Sequence, residues 1–158
     1  MNADILPYLP LAACFFHLIE EFAWPGGFGR WYAEYRPEIA KSLTVGFLVR
    51  INAGMVAVAI WIAWRGPTTA GYLSAWVVLA AILMSNAFFH LRAVWIMRRY
   101  SPGVVTGTLL YLPLYFVGVP VLVSHGMATT TQVVFSTALG LCYPLWSLTN
   151  HRRRARAS

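Results

Sequence analysis

Five apolar stretches, each long enough to cross a bilayer, constrain this chain more than any other feature. They cover about residues 5–24, 42–64, 69–97, 104–124 and 129–148, and a spanning α-helix needs about 20 residues. In lipid every backbone polar group must be satisfied within the structure, which leaves helices or closed barrels. Stretches of this length predict an all-α, polytopic membrane bundle of five transmembrane helices. The whole chain, 1–158, reads as one transmembrane domain, with a basic tail at 149–158. Composition agrees: 59% of residues are hydrophobic and 11% charged, against about 45–50% and about 25% in soluble domains. A 158-residue globule could not hide that much apolar surface. Soluble, disordered and disulfide-scaffold classes are therefore poor fits. Cys14 and Cys142 lie inside apolar stretches and imply no disulfide framework. The first four residues lack a cationic n-region, so no cleavable signal is expected.

The loops carry topology signals. Trp24-Pro25-Gly26-Gly27 breaks the first helix, and the aromatic, charged run 28–36 has interfacial chemistry. Ser101-Pro102-Gly103 reads as an N-cap with proline in the first turn of the fourth helix. With five spans, Arg30, Arg36, Lys41, Arg98, Arg99, Arg152, Arg153, Arg154 and Arg156 share one side, and Arg65 alone lies on the other. The positive-inside rule then puts the N-terminus out and the C-terminus in, across the cell (inner) membrane. The basic residues are read as topology anchors, with contact to anionic lipid as a second role. Nucleic acid is not an expected partner.

Ionisable side chains at membrane depth are costly and usually functional. Helix 1 carries His17-Leu18-Ile19-Glu20-Glu21, with Glu21 about 40° round the wheel from His17 at i+4. On helix 3, Asn86 and His90 are also i, i+4; helix 2 carries Arg50 and Asn52. At a rise of about 1.5 Å per residue, His17 lies roughly 10 Å, His90 roughly 12 Å and Arg50 roughly 13 Å from the cytoplasmic ends of their helices. A cation and two imidazoles thus reach one layer. Arg50 is expected to pair with Glu20 or Glu21, and Arg92 to snorkel. Asn52, Asn86, Tyr111 and Tyr115 are candidate substrate-contacting residues, although either asparagine alone could serve as interhelical glue and core packing is the better reading of the tyrosines. Gly46 and Gly54 suggest close helix packing. Pro113 and Pro120 should bend helix 4. His125 and His151 are expected at solvated edges.

Two imidazoles and a carboxylate form a ligand set for zinc or iron, here His17, Glu21 and His90. The same groups work without metal, as an acid–base pair of Glu20 or Glu21 tuned by Arg50. A structural or transport role also fits. There is no P-loop, Gly-x-Gly-x-x-Gly, Ser/His/Asp set or CxxC.

Taken in order, His17-Leu18-Ile19-Glu20-Glu21, Asn86-Ala87-Phe88-Phe89-His90, Arg99-Tyr100-Ser101-Pro102-Gly103 and Pro113 resemble the HXXEE membrane proteins. The resemblance spans about two thirds of the chain. It implies that His17, Glu20, Glu21, Asn86 and His90 form a site, and supplies no reaction. A looser similarity is to membrane-embedded CAAX-type proteases, which combine a Glu-Glu motif with Phe-x-x-x-His and His-x-x-x-Asn. Here the motif order differs, and Pro25 stands where an arginine would follow the acids.

The expected function is a small membrane enzyme acting on a lipid-like or hydrophobic substrate, with the segment 28–35 as an interfacial lid. A proton- or ion-coupled carrier and a structural subunit are the alternatives. Membrane lipid and a hydrophobic small molecule are the expected partners, with homo-oligomerisation left open. Reporter fusions should place the C-terminus inside and the 65–67 loop outside. A C-terminus found outside would remove the shared-depth argument.

Overall fold

The computed structural model describes residues 3–66 and 70–157, so Pro67 and the expected span start at Thr69 lie outside the described residues. Pro7 and Pro10 occupy the opening turns of the first helical run, where a missing N–H costs least. That run begins as a 3₁₀ helix, Ala3–Tyr8, continues as α1, Leu9–Leu18, and ends in a π turn, Ile19–Ala23. Glycines with positive φ at Gly26 and Gly27 then reverse the chain into α2, Phe28–Tyr35. A 3₁₀ helix, Pro37–Ser42, leads to α3, Val45–Arg65, whose start is fixed by Thr44: its hydroxyl accepts from the Phe47 amide at 3.2 Å. Then follows α4, Ala70–Met97. The next run is broken into α5 (Val104–Thr106), a π turn (Gly107–Tyr111), α6 (Leu112–Phe116) and α7 (Gly118–Ser124). Pro113 offers no N–H to the carbonyl four residues back, and the ladder widens into the π turn there. The last helix is α8, Thr130–Ala157. No strand occurs among the described residues.

Four helical runs are long and apolar enough to cross a membrane: Ile5–Ala23, Val45–Arg65, Gly71–Met97 and Val104–Ser124. They carry exposed apolar side chains such as Phe15, Phe16, Val49, Ile60, Trp61 and Leu109 on their outer surfaces, as lipid-facing helices should. The fifth expected span corresponds to α8, which is not among the four. Its 28 residues are long enough, but Thr130, Thr131, Gln132 and a terminal run of arginines make it the most polar of the long helices.

The central helix is α4. Trp76 is fully buried and donates its indole N–H to the Leu6 carbonyl at 2.8 Å, tying α4 to the first run. Across from it Gly118 leaves room for the Trp76 ring, which a Cβ there would approach to 2.6 Å. At one end of α8, Gln132 Nε2 donates to Ser74 Oγ at 3.0 Å. Midway, Gly140 lies on Val78 and Ala81. At the far end Leu148 and Ala155 pack around the Ala93 cluster. So α8 runs parallel to α4 along nearly its whole length.

Gly46 and Gly54 do not provide the expected packing stripe. A Cβ at Gly54 would meet nothing within 4 Å, and one at Gly46 only the Arg50 guanidinium at 3.8 Å. Close approach occurs instead at Gly140, where a Cβ would lie 2.7 Å from both Ala81 Cβ and the Val78 carbonyl oxygen. Overpacking of this kind costs about 1–3 kcal/mol. Gly140→Val should therefore lower the midpoint of thermal unfolding in detergent, and Gly54→Val should leave it within experimental error.

Candidate functional site

The His-x-x-Glu-Glu segment lies where α1 gives way to its π turn. His17 and Glu21 remain neighbours one turn apart, with His17 Nε2 3.4 Å from Glu21 Oε1. His90 reaches the same oxygen from α4, its Nε2 at 3.2 Å. All three side chains are buried. The structure thus brings His17, Glu21 and His90 together. Neither Nε2 has a hydrogen-bond partner of acceptable geometry, although both are within ion-pairing distance of the carboxylate. One donor atom from each of His17, Glu21 and His90 lies within 4.8 Å of the other two, the only such grouping of three or more among the described residues.

The N-terminal turn of α5 buttresses this cluster. Glu20 points to it and accepts four hydrogen bonds. They come from the Tyr100 hydroxyl at 2.7 Å, the Val105 amide at 3.0 Å, the Thr106 amide at 2.7 Å and the Thr106 hydroxyl at 2.5 Å. A carboxylate at backbone amides of a helix start is a favourable pairing. The Thr106 hydroxyl has one proton, and it goes to Glu20. The 2.9 Å contact between His17 Nδ1 and Thr106 Oγ1 must then be donated by the ring. That hydrogen-bond pattern puts a proton on His17 Nδ1 and leaves Nε2 facing Glu21. His90 Nδ1 in turn is hydrogen-bonded to Ser101 Oγ at 2.8 Å. Glu20 is thus a positioning group acting through Thr106, whereas Glu21 is the carboxylate inside the cluster. Ser101 is not the side-chain cap the sequence suggested. Its hydroxyl serves His90, and Gly103 precedes α5 with φ +97°.

Glycine and aromatic residues close the remaining sides. A Cβ on Gly103 would lie 2.7 Å from His17 Cε1 and 2.9 Å from His90 Cε1, so no other residue fits there. Trp31 stacks on His90 with ring centroids 5.6 Å apart, Phe28 sits beside it, and Tyr111 lies on His17 at 4.5 Å. α2 therefore covers the cluster with Phe28, Trp31 and Tyr32 buried.

A cavity of about 460 Å³ opens beside His17 and Glu21, within the range that takes a drug-sized ligand. Asn86, Asn52 and Tyr111 line it; Asn86 Oδ1 is buried without a partner, and Asn52 donates to the Leu48 carbonyl at 3.0 Å. Tyr115 does not reach it, and its hydroxyl bonds Thr137 at 2.8 Å in the packing between α6 and α8. Arg50 is not brought to the acids either. It is exposed, beside Trp146, Asn150 and Arg154. The depth arithmetic failed because residues 37–42 form a 3₁₀ turn and α3 starts only at Val45, which puts Arg50 about 8 Å into its helix. His151 is the opposite case. Expected at a solvated edge, it is buried, lines the cavity, and lies 2.5 Å from Ser42 Oγ. His125 is exposed, and Arg92 is exposed with its guanidinium on the Tyr35 hydroxyl at 2.6 Å. The two cysteines are free.

Sequence reasoning missed Tyr100, Thr106, Trp31 and His151 as parts of the site. For Tyr100 a signal existed in the block Arg99-Tyr100-Ser101-Pro102-Gly103, which carries three of the supporting residues.

A family model described as "Protein of unknown function with HXXEE motif" matches residues 8–118. The chain belongs to the HXXEE family. The match contains every residue of the cluster and its buttress, from His17 to Thr106. No curated protein and no solved structure matches this HXXEE protein.

His151 gives the site a pH dependence outside the spans. Burial, with the Arg154 and Arg36 guanidiniums nearby, holds its imidazole below the ordinary value of 6.5. The folded state therefore favours the neutral ring. That contribution to stability is complete above the unfolded value and is lost as pH falls from about 6.5 toward the folded value. His151→Asn should flatten the fall in detergent stability between neutral and mildly acidic pH.

Proposed function

We propose that this HXXEE protein is an integral membrane enzyme that acts on a hydrophobic, lipid-like substrate, with His17, Glu21 and His90 holding a zinc or iron ion. One observation carries the reading: two buried imidazole Nε2 atoms, without hydrogen-bond partners, face the same carboxylate oxygen. Their separations from that oxygen, 3.2 and 3.4 Å, match the roughly 3.3 Å between ligand atoms around a tetrahedral ion with 2.0–2.1 Å bonds. The fixed Nδ1–H of His17, and the Thr106–Glu20 chain behind it, is the outer support that metal-bound imidazoles commonly have. When bound, the ion would polarise a substrate oxygen or activate water. The protein's own groups orient the imidazoles, exclude bulk water through Trp31 and Gly103, and admit substrate through the neighbouring cavity.

The same reading places the chain across the cell (inner) membrane with five spans, N-terminus out and C-terminus in. The parallel run of α8 along α4 supports the fifth crossing, and the side shared by the arginine-rich loops and tail supports the orientation. A carrier would be favoured by Arg50 facing Glu20 or Glu21 across a water path, and a purely structural subunit by fully paired polar groups without a cavity. Neither arrangement is present among the described residues.

Elemental analysis of purified protein should find about one zinc or iron per chain, with Glu21→Gln and His90→Ala losing it. Thr106→Val should weaken metal binding by about 10–100-fold while leaving the ligands in place. Untargeted lipid profiling of wild-type and Glu21→Gln cells should show an accumulating hydrophobic metabolite. Folded, inserted variants that leave every such metabolite unchanged, while ion or solute uptake alters, would decide for a carrier.

A further inference from the structure

The cavity has guanidinium groups at one end only, and this placement of charge specifies its occupant more closely than its size does. At the loop end it is lined by Arg36, Arg92 and His151. Arg92 bonds the hydroxyl of Tyr35, the residue that precedes Arg36. The one carboxylate paired there is Glu38, on Arg36 and largely exposed. At the inner end the wall is Cys14, Met55, Val56, Ile82 and Leu83. Along α4 the distance from Arg92 to Ile82 is ten residues, about 15 Å. A cavity of about 460 Å³ drawn out over that length is narrow. His90 sits only two residues, about 3 Å of rise, below Arg92.

We infer that the cavity binds an anionic single-chain amphiphile, its head group on Arg36 and Arg92 and its chain between α3 and α4. Guanidinium groups bind carboxylate and phosphate heads by charge-assisted, forked hydrogen bonds. The apolar wall takes the chain. Held this way, the amphiphile presents the bonds nearest its head group at the height of the His17–Glu21–His90 cluster. That these bonds are the reacting ones rests on the enzyme reading above; the binding itself does not.

The test uses the purified full-length chain, with binding of oleate, oleyl alcohol and acetate measured by native mass spectrometry at mildly alkaline pH. Oleate should bind at least about tenfold more tightly than the alcohol, because the charge-assisted bonds are lost with the alcohol. Acetate should not displace it. Arg92→Gln with Arg36→Gln should erase the preference for oleate and leave alcohol binding unchanged. Arg92→Lys, which keeps charge but not the fork, should retain part of it. Equal binding of oleate and alcohol, a preference that survives both glutamine substitutions, or displacement by acetate would overturn the inference. Metal content of the same samples separates the two readings. Bound metal without an oleate preference overturns this one alone, and an oleate preference without metal overturns the metal centre alone.

Discussion

A carboxylate facing two buried imidazoles has to be held in place from outside, and much of the architecture around it supplies that support. A charged side chain at the centre of a bilayer costs about 2.5–3.5 kcal/mol even by the most lenient scale. Here Glu21 faces two rings, and Glu20 is removed from the problem by four donors from the chain after α4. Meeting these requirements forces α1, α4 and α5 to converge at one height. It also fixes the short loop between α4 and α5, because Tyr100, Ser101, Gly103 and Thr106 must all arrive in register over a few residues.

The helices are irregular where this convergence happens. One π turn contains Glu20 and Glu21, and a second follows Thr106 directly. Such turns recur at functional sites because they re-aim side chains without ending the helix. Gly103 and Gly107 let the second irregular segment approach closely. Gly103 rests on both imidazoles, and a Cβ at Gly107 would come within 3.3 Å of Ala87 on α4. Regular, well-packed contact is concentrated elsewhere, along α4 and α8 and around Trp76. The rigid part of the bundle thus carries the irregular part that holds the cluster.

The cavity extends that division of labour. It borrows His17, Glu21 and Asn86 from the cluster side, and apolar residues from α3, which packs loosely and exposes much of its own surface. Its loop end is closed by residues from α2, the 3₁₀ turn and the end of α8, held by the Ser42–His151 contact and the Arg154 guanidinium over the Phe47 ring. Surface pairs such as Arg99 with Glu34 add only weak links between the loops. The buried cluster and the closed end of the cavity are therefore built from neighbouring segments of the chain.

Hydropathy and helical spacing determined the helical class, the positions of four apolar spans, the pairing of His17 with Glu21, and the Asn86–His90 stripe, since each depends only on residues near one another in the chain. The family blocks singled out the same residues for the same reason. Where α3 begins was not legible: depth was counted from Lys41, whereas the helix starts at Val45, and Arg50 was consequently placed too deep. The meeting of His90 with Glu21, the division of roles between Glu20 and Glu21, the service of Ser101 and Thr106 to the two rings, and the burial of His151 were decided by tertiary structure alone. They join residues as far as 109 positions apart. Sequence period fixes which face of a helix a side chain occupies. Only the packing of helices fixes which other face it meets, and a one-residue π widening or a single glycine at positive φ is enough to change that partner.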